Sequence, residues 1–172
     1  GITFESKITG AVLPQEFIRA VEKGALDAAE SGVVAGYPFL GAKLTLLGGN
    51  WHEEDSSEIS FRVVGAMALR ELARKAKPTL LEPIMNVEVV VPQQYTGDVT
   101  GDLSSRRGKI AGMLPRGEAQ VVAASVPLSQ MFGYATTLRS LSQGRAVYSM
   151  EFARYEQAPK SVVDRIAHGV AS

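Results

Sequence analysis

The sequence predicts an α+β chain of two units, and three observations carry that prediction. From Met85 the apolar residues alternate through Val87, Val89 and Val91, the period of a strand with one buried face. Behind Pro14, Phe17, Val21, Ala25 and Ala28 recur on one face of a helix. Between these regions Lys77-Pro78 and Glu82-Pro83 break the pattern, because a residue that precedes proline is steered away from helical geometry. The boundary is placed after Lys77, giving units over residues 1–77 and 78–172.

In the first unit residues 2–9 read as a short strand, and the helix after Pro14 runs to Gly32. Gly24 inside that helix is expected to cost about 1 kcal/mol relative to alanine. Residues 39–47 read as a second strand closed by Gly48-Gly49. Asp55-Ser56-Ser57-Glu58 has capping-box spacing with Asp55 in the cap role, and Ile59, Val63, Met67 and Leu72 form the apolar stripe of the helix that follows. Arg70, Arg74, Lys75 and Lys77 load its last turns, where positive charge is favourable. In the second unit the alternating strand is followed by a helix over residues 95–107 that tolerates Gly97 and Gly101. Strands over 109–114 and 118–126 follow, joined at Pro115-Arg116-Gly117. A helix over 128–141 and a strand in which Tyr148, Met150 and Phe152 alternate complete it. The order β-α-β-β-α-β is the split βαβ or ferredoxin-like arrangement. The tail, residues 159–170, reads as one short terminal helix.

Composition narrows the chemistry. The 172 residues are 45% hydrophobic and 21% charged, in the ordinary globular range. The absence of cysteine excludes a disulfide framework and a thiolate metal site, and suits a reducing cytosol or organelle matrix. No apolar run is long enough to cross a bilayer and the first ten residues lack the regions of a signal peptide, so a cytoplasmic protein without a membrane partner is expected. Net charge is zero, which taken alone argues against nucleic-acid binding. Residues 78–155, however, hold seven Lys and Arg against six Asp and Glu, and six of the seven cations are arginine (Arg106, Arg107, Arg116, Arg139, Arg145, Arg154) beside Lys109. The guanidinium fork suits phosphate or carboxylate.

Self-contained catalysis finds no support. The run nearest a phosphate-binding loop, Gly112 to Ala119, puts Glu118 where the lysine must stand, and no two glycines are spaced G-x-G. His52-Glu53 opens like a zinc-protease helix, but Ser56 occupies the second ligand position. The only histidines are His52 and His168, and no nucleophile-elbow motif accompanies either. Glu53, Glu54, Asp55 and Glu58 read as helix capping and solvation. No catalytic residue, metal, cofactor or small-molecule substrate is assigned to this chain.

Two long stretches say more. Residues 94–108, Gln-Tyr-Thr-Gly-Asp-Val-Thr-Gly-Asp-Leu-Ser-Ser-Arg-Arg-Gly, resemble the first helix of the last domain of elongation factor G. Residues 131–140, Met-Phe-Gly-Tyr-Ala-Thr-Thr-Leu-Arg-Ser, with Gln143-Gly144-Arg145 and Tyr148-Ser149-Met150-Glu151-Phe152, resemble that domain's second helix and last strand. Asp55-Ser56-Ser57-Glu58 and Leu80-Leu81-Glu82-Pro83-Ile84-Met85 are similar to the preceding domain and the junction. The resemblance implies a partial ribosomal-protein-S5-like domain IV over residues 1–77, of βαβ type and the left-handed crossover family, incomplete at its N-terminus. A ferredoxin-like domain V with a helical tail follows over 78–172. It implies a ribosome-binding part of a GTPase that promotes translocation. Its partners would be ribosomal RNA, ribosomal proteins, and tRNA and mRNA in the decoding region. GTP and magnesium would serve an N-terminal domain that these residues do not include.

By the same resemblance His52 matches the tip histidine of domain IV, beside Trp51 where the family more often has tyrosine. An imidazole there can stack on a base or hydrogen-bond a backbone. Ala146-Val147 replaces the family's usual glycine-threonine. Arg106, Arg107 and Lys109 are the candidates for contacts to ribosomal RNA, against the simpler reading of a cationic helix end. Recycling factors and ribosomal-protection proteins share this architecture. A regulatory or hydrolase module on the ferredoxin-like fold is the rival from another class, although the acylphosphatase version needs an Arg-bearing phosphate loop that the sequence lacks.

Overall fold

The computed structural model describes residues 1–167, so His168 lies outside the described residues. Residues 1–79 with the described residues of the terminal segment, 161–167, form one compact unit, and Leu80–Lys160 form another.

In the first unit β1 (Thr3–Ser6) and β2 (Lys43–Leu46) pair in parallel, Thr3 opposite Lys43 and Ser6 opposite Leu46. They are linked through α1 (Gln15–Ser31), the crossover that a parallel pair requires. The expected apolar face of α1 is the buried one: Phe17, Val21, Ala25 and Ala28 are all in the core. Gly32 ends the helix at φ 82°, returning its N–H to the carbonyls of Ala28 and Ala29. The second strand is shorter than the 39–47 expected: the Phe39 N–H bonds the Ala29 carbonyl and so ties that residue to the helix end.

Two expectations for α2 (Glu58–Lys75) are corrected. The cap is Ser57, not Asp55. Its hydroxyl accepts from the Ser60 N–H at 3.1 Å, and the Ser60 hydroxyl accepts from the Ser57 N–H at 3.0 Å, a reciprocal box with serine in the usual glutamate position. Nor does the stripe Ile59, Val63, Met67 and Leu72 face the core; all four are more than half exposed. The buried residues are Gly65, Leu69 and Ala73. A Cβ on Gly24 of α1 would stand 1.9 Å from the Arg62 carbonyl oxygen, and one on Gly65 would stand 2.2 Å from that of Val21. The two helices therefore meet backbone to backbone through a reciprocal pair of glycines. Gly24, which looks like a weakness within its own helix, is what lets the helices meet. An Asp27–Arg62 ion pair borders the contact.

The second unit is a four-stranded sheet in the order β4-β5-β3-β6, every neighbouring pair antiparallel. Its strands are β3 (Leu81–Pro92), β4 (Lys109–Arg116), β5 (Ala119–Pro127) and β6 (Val147–Gln157). The connections run through α3 (Thr96–Ser105) and α4 (Tyr134–Leu141). This is the predicted β-α-β-β-α-β order. Met85, Val87, Val89 and Val91 face a core shared with Val99, Leu103, Val122, Val126, Tyr134 and Leu138. The helix expected over 128–141 is broken. Leu128–Gln130 form a single 3-10 turn, and α4 starts only after Gly133, whose left-handed φ of 74° a right-handed helix does not accommodate. A terminal helix, α5, spans Lys160–Ala167.

Candidate nucleic-acid interface

His52 and Trp51 stand in the loop between β2 and α2, and the structure gives them different parts. Trp51 turns inward. Its ring centroid lies 5.9 Å from that of Phe17, and it packs on a cluster of Leu13, Phe17 and Ile18 with Phe4, Ile8, Leu46 and Phe61. The indole thus anchors the loop. The next residue, His52, is exposed. Behind it the chain closes on itself: the His52 N–H donates to the Ser56 hydroxyl at 2.9 Å, and the Ser56 N–H donates back to the His52 carbonyl at 2.9 Å. Glu53, Glu54 and Asp55 arch through solvent between those two bonds. Ser57 then caps α2, so the imidazole rises from a loop held at both ends.

The basic candidates do not form one exposed cluster. Arg106 is the C-terminal cap residue of α3 and its guanidinium turns inward, 17% exposed. Nε donates to Asp102 at 2.8 Å, one terminal nitrogen to the Gln130 carbonyl at 2.6 Å, and the other to the Thr137 hydroxyl at 3.0 Å. The carbon of the fork also lies 5.0 Å from the Tyr134 ring centroid, in the cation–π range. Arg106 is therefore a brace between α3 and the entry to α4. Arg107, at φ 61°, forks both ways onto Glu82, whose side chain is 11% exposed. Its donors tie the end of α3 to the start of β3. Of the three residues only Lys109, the first of β4, is left exposed.

At the far end of the sheet two other arginines take the surface position. Arg116 and Arg145 line an open groove of about 690 Å³ with Pro92, Gln93, Gln94 and Glu118. Both are exposed, and neither makes an ion pair among the described residues. The amides of Gln93 and Gln94 add donors beside them. The signal was present in the sequence as a count of arginines; what it lacked was which of them carboxylates would occupy.

Above the helix side of the sheet, Tyr134 is 1% exposed, its hydroxyl has no partner, and burial pushes its phenol up to about 12. Tyr148 meets it edge-on at 4.9 Å between centroids. Both rings pack against the core of this unit, Tyr148 partly buried. Gly112 to Gly117 lie in the extended β4–β5 hairpin and not in a loop that opens a helix, so these residues do not form a phosphate-binding loop. No three His, Asp or Glu among the described residues converge to hold a metal ion. No described helix is long and apolar enough to cross a membrane.

Comparison with known proteins matches residues 1–77 to the family described as elongation factor G, domain IV, and residues 79–166 to elongation factor G C-terminus. The chain belongs to the elongation factor G family. A solved structure from Thermus thermophilus is 39% identical and superposes with a TM-score of 0.85 over 98% of the chain. The chain spans 26% of the length of that protein. The elongation factor G assignment makes it part of a translation factor. It also accounts for the mixed fold: a βαβ unit bearing the His52 loop, then a ferredoxin-like unit bearing the arginine groove.

Proposed function

We propose that the chain is the ribosome-facing part of an elongation factor G-like GTPase that promotes movement of tRNA and mRNA. In this reading His52 meets tRNA and mRNA in the decoding region, while Lys109, Arg116 and Arg145 meet ribosomal RNA of the large subunit. GTP and magnesium act in a part of the factor outside these residues, and the factor works in the cytoplasm or an organelle matrix. The observation that carries the proposal is the His52 loop, which keeps an imidazole exposed on a base fixed by Trp51 and Ser56. A neutral or charged imidazole held this way can stack on a base or hydrogen-bond a phosphate or ribose without first losing loop entropy.

The test is sedimentation of the chain with ribosomes carrying mRNA and tRNA, and with the same ribosomes lacking tRNA. Tighter binding when tRNA is present, lost in His52→Ala, is the expected result. Equal binding by the wild-type chain in both cases removes the tip from the functional surface. The purified chain is also expected to show no GTP turnover, because its sequence carries no phosphate-binding loop motif; turnover that copurifies with the chain through successive columns contradicts this.

A further inference from the structure

The geometry points to Ser56 as a positioning residue for the His52 tip, acting on RNA contact through the loop and not by touching the RNA. The inference rests on the reading of His52 given above. Ser56 is neither the helix cap, which is Ser57, nor part of the core. It grips His52 from both sides: the hydroxyl accepts the His52 N–H, and its own N–H reaches the His52 carbonyl, each at 2.9 Å. The second bond alone is an ordinary turn bond that any residue except proline can make at this position. The first needs a side-chain acceptor one carbon from the backbone, and serine or threonine supplies it.

Three consecutive acidic residues make that acceptor matter. Glu53, Glu54 and Asp55 are all exposed, and like charges packed into one short arch favour an open loop. Upstream, Trp51 holds its own position but not the peptide direction after it. With the N–H and C=O of His52 both tied to Ser56, the peptide planes on either side of its Cα are fixed, and the imidazole keeps its solvent-facing direction. Without the hydroxyl the His52 N–H turns to water, and the tip samples directions that RNA binding must then select among. The loss is confined to binding: the bonds are surface bonds, and α2 retains its own cap.

The experiment uses the whole chain, with ribosomes carrying mRNA and tRNA as the probe and the same ribosomes without tRNA as the reference. Ser56→Ala is expected to reduce the tRNA-dependent part of the affinity about fivefold, the size associated with one exposed hydrogen bond. It is also expected to speed amide hydrogen exchange at His52, while Ser56→Thr restores both. Thermal stability of the alanine variant should stay near wild type; if that variant does not fold, Ser56→Cys, a weak acceptor of similar size, replaces it. Loss of the tRNA-dependent affinity in His52→Ala but not in the position-56 variants overturns the role of Ser56 and leaves the tip reading standing. A tRNA-dependent affinity that His52→Ala does not change ends the tip reading and the positioning role with it. Unchanged exchange at the His52 amide in Ser56→Ala shows that the hydroxyl does not hold the loop, and also overturns the proposal.

Discussion

Replacing Arg106 by alanine removes bonds to Asp102, Gln130 and Thr137 together with the contact to Tyr134. The Asp102 carboxylate, 18% exposed, then loses its cation. The expected loss is about 2–4 kcal/mol of stability, read by denaturant unfolding, since a shielded charge without a partner is costly. A variant as stable as wild type contradicts the bracing role. Tyr134 gives a second test at the same scale. Its hydroxyl is buried without a partner, so Tyr134→Phe should be close to neutral at pH 7. At high pH the two proteins should part. Above the ordinary phenol value of 10.0 the unfolded chain has released its proton, whereas the folded chain retains it up to about 12. Wild-type stability is therefore complete below pH 10 and falls as pH rises toward 12, by on the order of 2 kcal/mol relative to the phenylalanine variant. Parallel unfolding profiles across that range refute the assignment. The sequence showed Arg106 and Arg107 as a basic pair at a helix end. It could not show that Glu82, on another element, had claimed Arg107, because that pair exists only once α3 lies on the sheet; Asp102, four residues before Arg106, is a neighbour along the helix itself and its spacing could have been read.

At the scale of elements, four glycines separate local propensity from packing. Gly101 sits on the exposed side of α3, where an added Cβ would meet nothing within 4 Å. Gly101→Ala is expected to gain about 0.5–1 kcal/mol from helix propensity, and Gly97, equally open, should behave alike. Gly24→Ala and Gly65→Ala carry the same propensity gain, yet each drives a methyl group into a carbonyl of the partner helix. Each should lose at least about 2 kcal/mol, because backbone cannot turn aside as a side chain does. Thermal midpoints of the four variants check the contrast; a stabilised Gly65→Ala contradicts the close approach. The strands were legible because alternation survives in Met85 to Val91, and α1 because its face is large and apolar. The buried side of α2 was not legible. It consists of Gly65, Leu69 and Ala73, whereas the larger Ile59, Val63 and Met67 point away, so hydrophobicity selected the wrong stripe. The break before α4 was written in Gly133 but hidden by the helix formers around it.

For the whole molecule, net charge is a poor guide to where RNA would lie. The chain is neutral, yet Arg116 and Arg145 border one groove without an ion pair among the described residues, while other cations are taken up internally. Replacing both by alanine should weaken binding to ribosomes and flatten its dependence on salt by roughly one to two units of log–log slope, since fewer counterions are released. Sedimentation across a salt series measures it, and an unchanged slope removes the groove from the interface. Of the candidate site, the resemblance proposed His52 in advance, whereas the serine behind it and the groove emerge as candidates only when the chain is folded.

The placement of Trp51 has a practical consequence. It is the chain's single tryptophan, and it lies in the Phe17 cluster immediately before His52. Excitation of the indole therefore reports from one place in the protein, with no second emitter to subtract. An emission maximum at short wavelength shows that the loop is seated on α1, and a shift to the red shows that it has come away. Quenching without such a shift marks a ligand arriving above a loop that has stayed in place. The protein thus carries an optical label, needing no dye, at the point where contact with RNA is to be measured.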